Sequence, residues 1–165
     1  MEVTNVERGE FDLSLADQLK KIDVSQLKMS NGKTYEEVLR SEMKRLKQYL
    51  QREVDLVYSS YYPSVYHRTG LFQKSLYLDN NIQFIANGKQ IKMYIKFNDY
   101  AWHDSLWNGS SGYLPILWNY GWAWKDQSNP RERFTYWNGN DMFERAISKF
   151  EQDNPYGIKV KIEKY

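Results

Sequence analysis

The chain has no cysteine among its 165 residues, so disulfide frameworks, cysteine-based metal sites and thiol nucleophiles are all excluded. Histidine is nearly absent. His67 and His103 are the only two, which severely limits His-based metal sites and His-dependent triads. His103 and Asp104 are adjacent, and neighbours on a strand point to opposite faces, so they do not read as a base with its orienting carboxylate. No phosphate loop, dinucleotide glycine fingerprint, His-Glu-x-x-His or Gly-x-Ser-x-Gly is present. Thr69-Gly70 follows Arg68 rather than an aspartate, so the aspartic-protease triplet is missing too. Asp99, Asp104 and Glu132 could supply a glycosidase pair, but any loop-rich chain offers as many carboxylates. No metal or cofactor is expected, and the chain reads as a binding or structural protein, not an enzyme.

Long apolar runs are also lacking. None approaches the ~20 residues needed to span a bilayer, so no membrane partner is expected. The polar, acidic opening Met1-Glu2-Val3-Thr4-Asn5 does not fit a secretory signal, and synthesis in a cytoplasm is expected. The net charge of +2 is too small to argue for nucleic acid by itself. At this length one domain is the simplest expectation.

What the chain does have is aromatic residues: 14 Tyr, 7 Phe and 6 Trp, enough to raise three classes of function. Aromatics carry large contact areas and are enriched at interfaces. They are also platforms for sugars and unpaired bases. Single-strand binding would need basic residues interleaved with them, and between Tyr100 and Tyr136 only Lys125, Arg131 and Arg133 occur. An oligomer interface and a carbohydrate site remain.

Residues 1–33 read as a polar N-terminal arm. Leu15, Leu19 and Ile22 can share one face of a short helix capped by Asp12 or Ser14, and Ser30-Asn31-Gly32 marks a break. Residues 34–165 read as a single α+β domain. Thr34-Tyr35-Glu36-Glu37 matches a capping box, and Tyr35, Leu39, Met43, Leu46, Leu50, Val54 and Val57 step along one face of a helix to about Ser59. Pro63 ends that helix, and Thr69-Gly70 offers a turn into the next element. Ile82–Ile85 and Ile91–Phe97 flank Asn87-Gly88 as an antiparallel hairpin. Residues 99–137 form an aromatic-rich loop insertion holding all six Trp, with a short helix before Gly121. A second helix over Asp141–Asp153, capped by Asn138 or Asn140, precedes a last strand at Ile158–Glu163. The expected architecture is two helices packed on one face of a mostly antiparallel sheet of about four strands.

The corner Tyr61-x-Pro63-x-x-Tyr66-x-Arg68-Thr69-Gly70-Leu71-x-x-x-Ser75 resembles the signature corner of small neck and tail-completion proteins, the head–tail joining proteins of tailed double-stranded DNA phages. Asn98-Asp99-Tyr100-Ala101-Trp102 resembles the family's strand and Tyr-Ala step, and Leu117–Trp122 its apolar-x-x-x-Gly step. The closing helix and strand, Asp141–Phe150 and Gly157–Glu163, extend the likeness over roughly residues 35–163. The resemblance implies a virion structural protein, located in the neck or tail. It would form a homo-oligomeric ring, six-fold or twelve-fold, between the portal-side head connector and the tail proteins, with DNA passing through the lumen unread. Tyr100, Trp102, Trp107, Trp118, Trp122 and Trp124 are the candidate subunit interface. Arg40, Lys44 and Lys47, on the polar face of the long helix, are the candidate DNA-facing residues. The alternative is an aromatic-rich carbohydrate-binding module of a phage accessory protein.

Overall fold

The computed structural model describes residues 27–60, 70–85, 90–104, 111–125 and 134–163. Helix α1 (Tyr35–Ser60) begins as the capping box requires. The Thr34 amide donates to Glu37 Oε2 at 2.8 Å, and the Glu37 amide donates to Thr34 Oγ1 at 3.2 Å. Two N–H groups that the first helical turn cannot pair are thus satisfied together. Its 26 residues make a rod of about 39 Å. Leu39, Met43, Leu46, Val54 and Val57 are buried along one side, as their spacing predicts, and Val38 is buried as well, off that stripe. At its end the hydroxyls of Ser59 and Ser60 donate back to the carbonyls of Leu56 and Val57.

Ahead of α1, residues 27–34 close a tight turn. Gly32 takes φ +78°, and a bridge joins Lys28 to Thr34. Residues 1–26, the rest of the expected arm, lie outside the described residues.

After the corner, the chain is described again from Gly70, at φ +71°, whose amide donates to the Tyr58 hydroxyl at 3.0 Å. A single 3₁₀ turn, Phe72–Lys74, leads to Ser75. Ser75 is wholly buried, and its hydroxyl closes that turn by donating to the Phe72 carbonyl at 2.6 Å. Strands β1 (Leu76–Ile85) and β2 (Gln90–Phe97) then pair antiparallel, from Leu76 opposite Phe97 to Ile85 opposite Gln90. The register breaks between Asp79 and Gln83, where β1 has two more residues than its partner. There the Asn81 amide turns onto Asp79 Oδ1 at 3.0 Å.

The described residues of the 99–137 segment are more regular than the loop expected there. A 3₁₀ turn at Asp99–Ala101, started by Asn98 accepting from the Tyr100 amide, ends the direction of β2. Strands β3 (Trp102–Asp104) and β4 (Ser111–Tyr113) pair, helix α2 (Leu114–Tyr120) follows, and β5 (Trp122–Lys125) pairs with β6 (Phe134–Trp137). Gly121, at φ +88°, stops α2 and donates to the Leu117 carbonyl. Strands of three and four residues are too short to show a period, which is why the sequence reads as loop there.

Helix α3 (Met142–Gln152) completes the elements. Neither Asn138 nor Asn140 caps it. The residue at its start, Asp141, has φ +48° and makes no side-chain cap. The cap comes from α2 instead: Asn119 Oδ1 accepts from the Phe143 amide at 2.7 Å, and Asn119 Nδ2 donates to Glu144 at 2.8 Å. Asn119 is wholly buried in that role.

The fold is α+β, but not the single sheet of about four strands anticipated. Among the described residues the strands form three separate antiparallel pairs. The last strand is also absent as such. Ile158 is buried and Val160 half-buried, so the alternation survives, yet only Lys159 makes a bridge. The Asn154 side chain takes both backbone groups of Ile158, at 2.9 Å and 2.7 Å, and withholds them from a ladder. Two clusters form the core along α1. Leu39, Met43 and Leu46 meet Ile91, Met93, Phe150 and Ile158; Val54 and Val57 meet Phe72, Ala101, Met142 and Phe143.

Candidate functional site

The aromatic residues singled out in the sequence do not share one environment. Tyr100 and Trp102 are each 54% exposed. The Trp102 ring leans on Tyr113 with centroids 5.3 Å apart. Trp118 is half-buried and packs against the core of its own chain, 6.4 Å from the Tyr58 ring and 5.7 Å from Phe72. Trp122 and Trp124 lie on β5, opposite Trp137 and Thr135. Trp107 lies outside the described residues, as do Pro63, Tyr66, Arg68 and Thr69 of the corner. Of that corner, Gly70 and Ser75 turn the chain as above, and Leu71 is exposed.

Changing Trp118 to Ser is therefore expected to cost about 2–3 kcal/mol, somewhat under a fully buried Trp truncation because the residue is half-buried. Trp102→Ser should stay within about 0.5 kcal/mol. Urea unfolding of the two variants checks this, and equal losses would refute the assignment.

Two arginines of α1 are engaged in the fold. Arg40 pairs with Glu36 at 2.8 Å and donates to the Asn80 carbonyl at 3.1 Å, pinning the irregular stretch of β1. Arg45 pairs with Glu42, donates to the Asp153 carbonyl, and lies 4.5 Å over the Phe150 ring, so it ties α1 to the end of α3. Lys44 is exposed and Lys47 half-buried. Of the three candidate DNA-facing residues, Arg40 has a structural task that accounts for its position.

A second ionic cluster, built on a buried carboxylate, joins α1 to α3. Glu53 is 1% exposed and accepts from Arg145 at 2.7 Å and Lys149 at 2.5 Å, one turn apart on α3. Burial pushes its carboxyl up, but the hydrogen bonds from Lys149 and Arg145 and their charges outweigh this and hold it below the usual range. The sequence carried a signal for it. Glu53 falls three residues after Leu50 and four before Val57, within the apolar stripe, where a charge demands a partner.

The structure adds a feature with no sequence signal. A cavity of about 610 Å³ runs inward from Trp102 to Leu46 and Met93, between α1, β2, α2 and α3, with residues 160–163 along its rim. Its walls are mainly apolar, with Lys96, Lys161 and Glu163 among the few charged groups. Trp102 and Ile162, 54% and 38% exposed, place its mouth at the surface. Burial, with Tyr77 adding to it, pushes the phenol of Tyr113 in its wall above the ordinary value. Such a space suits apolar contact and not acid–base chemistry.

Among the described residues no group of three His, Asp or Glu side chains is placed to hold a metal, and no helix is long and apolar enough to cross a membrane. Comparison of the chain with protein-family models, curated proteins and solved structures yields no match.

Proposed function

We propose that the chain is a structural subunit of a tailed-phage virion, a neck or tail-completion protein. It forms a six-fold or twelve-fold ring between the head connector and the tail around the DNA channel. The observation that supports this best is the turn from α1 into β1. Gly70 takes the left-handed conformation that its place in the motif asks of a glycine, and Ser75 closes the turn with its buried hydroxyl. In such a subunit α1 and α3 would cover the inner face of the β1–β2 pair, and further strands would extend that pair into the expected sheet. Tyr100 and Trp102 would belong to a heterologous interface, in which one patch meets a different patch on the next copy and the rotation closes the ring. Lys44 and Lys47 would be the charges left to meet DNA, few enough to let it slide.

A carbohydrate-binding module is the second reading, favoured by the exposed Trp102 leaning on Tyr113 at the mouth of a cavity. Light scattering of the protein alone, and then with connector and tail proteins added, separates the two. A mass of six or twelve subunits in either condition is expected. A monomer in both, with Trp fluorescence that responds to an oligosaccharide, would overturn the ring.

A further inference from the structure

We infer that the cavity beside β2 is a slot for one β-strand of another protein chain, added at the edge of β2. The lining gives the shape. Met93, Tyr94, Ile95, Lys96 and Phe97 of β2 all line the cavity, and so do residues 160–163, which belong to no strand. Side chains alternate between the two faces of a strand, so five consecutive residues meet one space only along the strand's edge. Size agrees. A residue in a sheet fills roughly 160 Å³, from a rise of about 3.3 Å, a strand spacing of about 4.8 Å and layers about 10 Å apart. The cavity, at about 610 Å³, therefore takes about four residues of a strand. It opens at Trp102 and Ile162, so a segment from outside can enter.

The backbone of β2 selects the occupant. The Asn98 amide donates to the Ser75 carbonyl at 2.9 Å, one step beyond the pair of Leu76 with Phe97. Bonded and non-bonded pairs alternate along an antiparallel ladder, so Lys96 and Tyr94 exchange hydrogen bonds with Tyr77 and Asp79. Ile95 and Phe97 then direct their N–H and C=O groups away from β1, on the edge that lines the cavity. Both residues are half-buried, and among the described residues none of these four groups has a hydrogen-bond partner. A purely apolar ligand would bury them unpaired, which is unfavourable. A peptide strand brings donors and acceptors at the two-residue spacing that they need.

The side chains of the incoming strand follow from the same alternation. Residues opposite Ile95 and Phe97 share their inner face, where Ile95 packs on the cluster of Leu46 and Met93, and Phe97 on that of Phe143. Residues between them share the face of Tyr94 and Lys96. The partner is therefore an extended segment, apolar at alternate positions and polar between them. Lys96 is held by Asp79 at 2.7 Å, so backbone and shape select the partner rather than charge. The slot holds whether or not the chain forms a ring.

The test is amide hydrogen exchange by NMR on the full chain, with the end-blocked heptapeptide Lys-Val-Thr-Val-Thr-Val-Lys as the probe. Without peptide, the amides of Tyr94 and Lys96 should exchange slowly, and those of Ile95 and Phe97 at least tenfold faster. Saturating peptide should slow Ile95 and Phe97 at least tenfold and leave Tyr94 and Lys96 as they were. The same peptide N-methylated at its five central residues should bind at least tenfold more weakly. No binding, or binding that leaves exchange at Ile95 and Phe97 unchanged, overturns the slot. Equal binding of the N-methylated peptide overturns it as well. Slow exchange at Ile95 and Phe97 without peptide would show that the chain itself, or a second copy, already covers the edge, and would overturn the partner strand.

Discussion

Replacing Gly139 by alanine is expected to destabilise the protein by about 3 kcal/mol or more, beyond the usual range for a single added methyl. A Cβ built at this position lies 2.0 Å from the Asn119 carbonyl oxygen and 2.6 Å from its carbon. Both are backbone atoms, so no rotamer change can make room. The chain must move where it can least do so. The Asn140 amide donates to the Trp118 carbonyl at 2.9 Å and the Asp141 amide to the Asn119 carbonyl at 3.2 Å, and these bonds lock the entry of α3 onto the end of α2. Displacing that entry also pulls Phe143 away from its cap on Asn119. At about 2–4 °C per kcal/mol for a chain of this size, the melting temperature should fall by roughly 10 °C. A thermal melt within a degree or two of the natural protein would show that the two segments are not in contact.

The second large effect belongs to Glu53. Glu53→Ala should cost about 3 kcal/mol, because it removes the shared partner of Arg145 and Lys149 and leaves a hole beside α1. Glu53→Leu should cost under about 1 kcal/mol. The two cations are 45% and 49% exposed and can turn to water, while the leucine fills the space that the buried carboxylate side chain leaves. The pH dependence follows from the direction of the carboxyl's shift. A carboxyl held below its unfolded value, about 4.3 for Glu, contributes stability that is complete above that pH. The contribution is lost as the pH falls through the lower, folded value. The gap between the natural protein and Glu53→Leu should therefore be flat from neutrality to about pH 5 and change only below about pH 4, to the disadvantage of the natural protein. Urea titrations at pH 7 and pH 3 measure it. A gap that does not move would mean that Glu53 is not charged and paired in the native state.

These positions separate what was legible in the chain from what was not. Local rules were readable wherever one element contains all the partners. Thr34 and Glu37 cap α1 because a capping box needs only four consecutive residues. The apolar stripe of α1 and the alternation of Ile91, Met93, Ile95 and Phe97 follow from the periods of helix and strand alone. Gly121 stops α2 for the same local reason. The expected C-terminal strand failed because alternation states which side chains face inward but not where backbone hydrogen bonds go, and Asn154 had already taken those of Ile158.

The candidate site was less legible, since exposure depends on what lies across from a residue. Trp102 and Trp118 look alike in sequence, yet one stands at a cavity mouth and the other stacks on Tyr58 and Phe72 from distant elements. Arg40 reads as a surface cation until Asn80 is seen beneath it. Asn119 reads as one polar residue in an aromatic run until α3 is placed against it. By itself the sequence determined the class α+β, the span of the long helix and the pairing of Ile82–Ile85 with β2, though not the earlier part of β1 from Leu76, because those hydrogen bonds and apolar faces repeat at short range. Only the tertiary structure decided the cap on α3, the partners of Glu53, the packing of Trp118 on Tyr58 and Phe72 and the existence of the cavity. Each joins residues more than twenty positions apart, and no local period carries a contact that long.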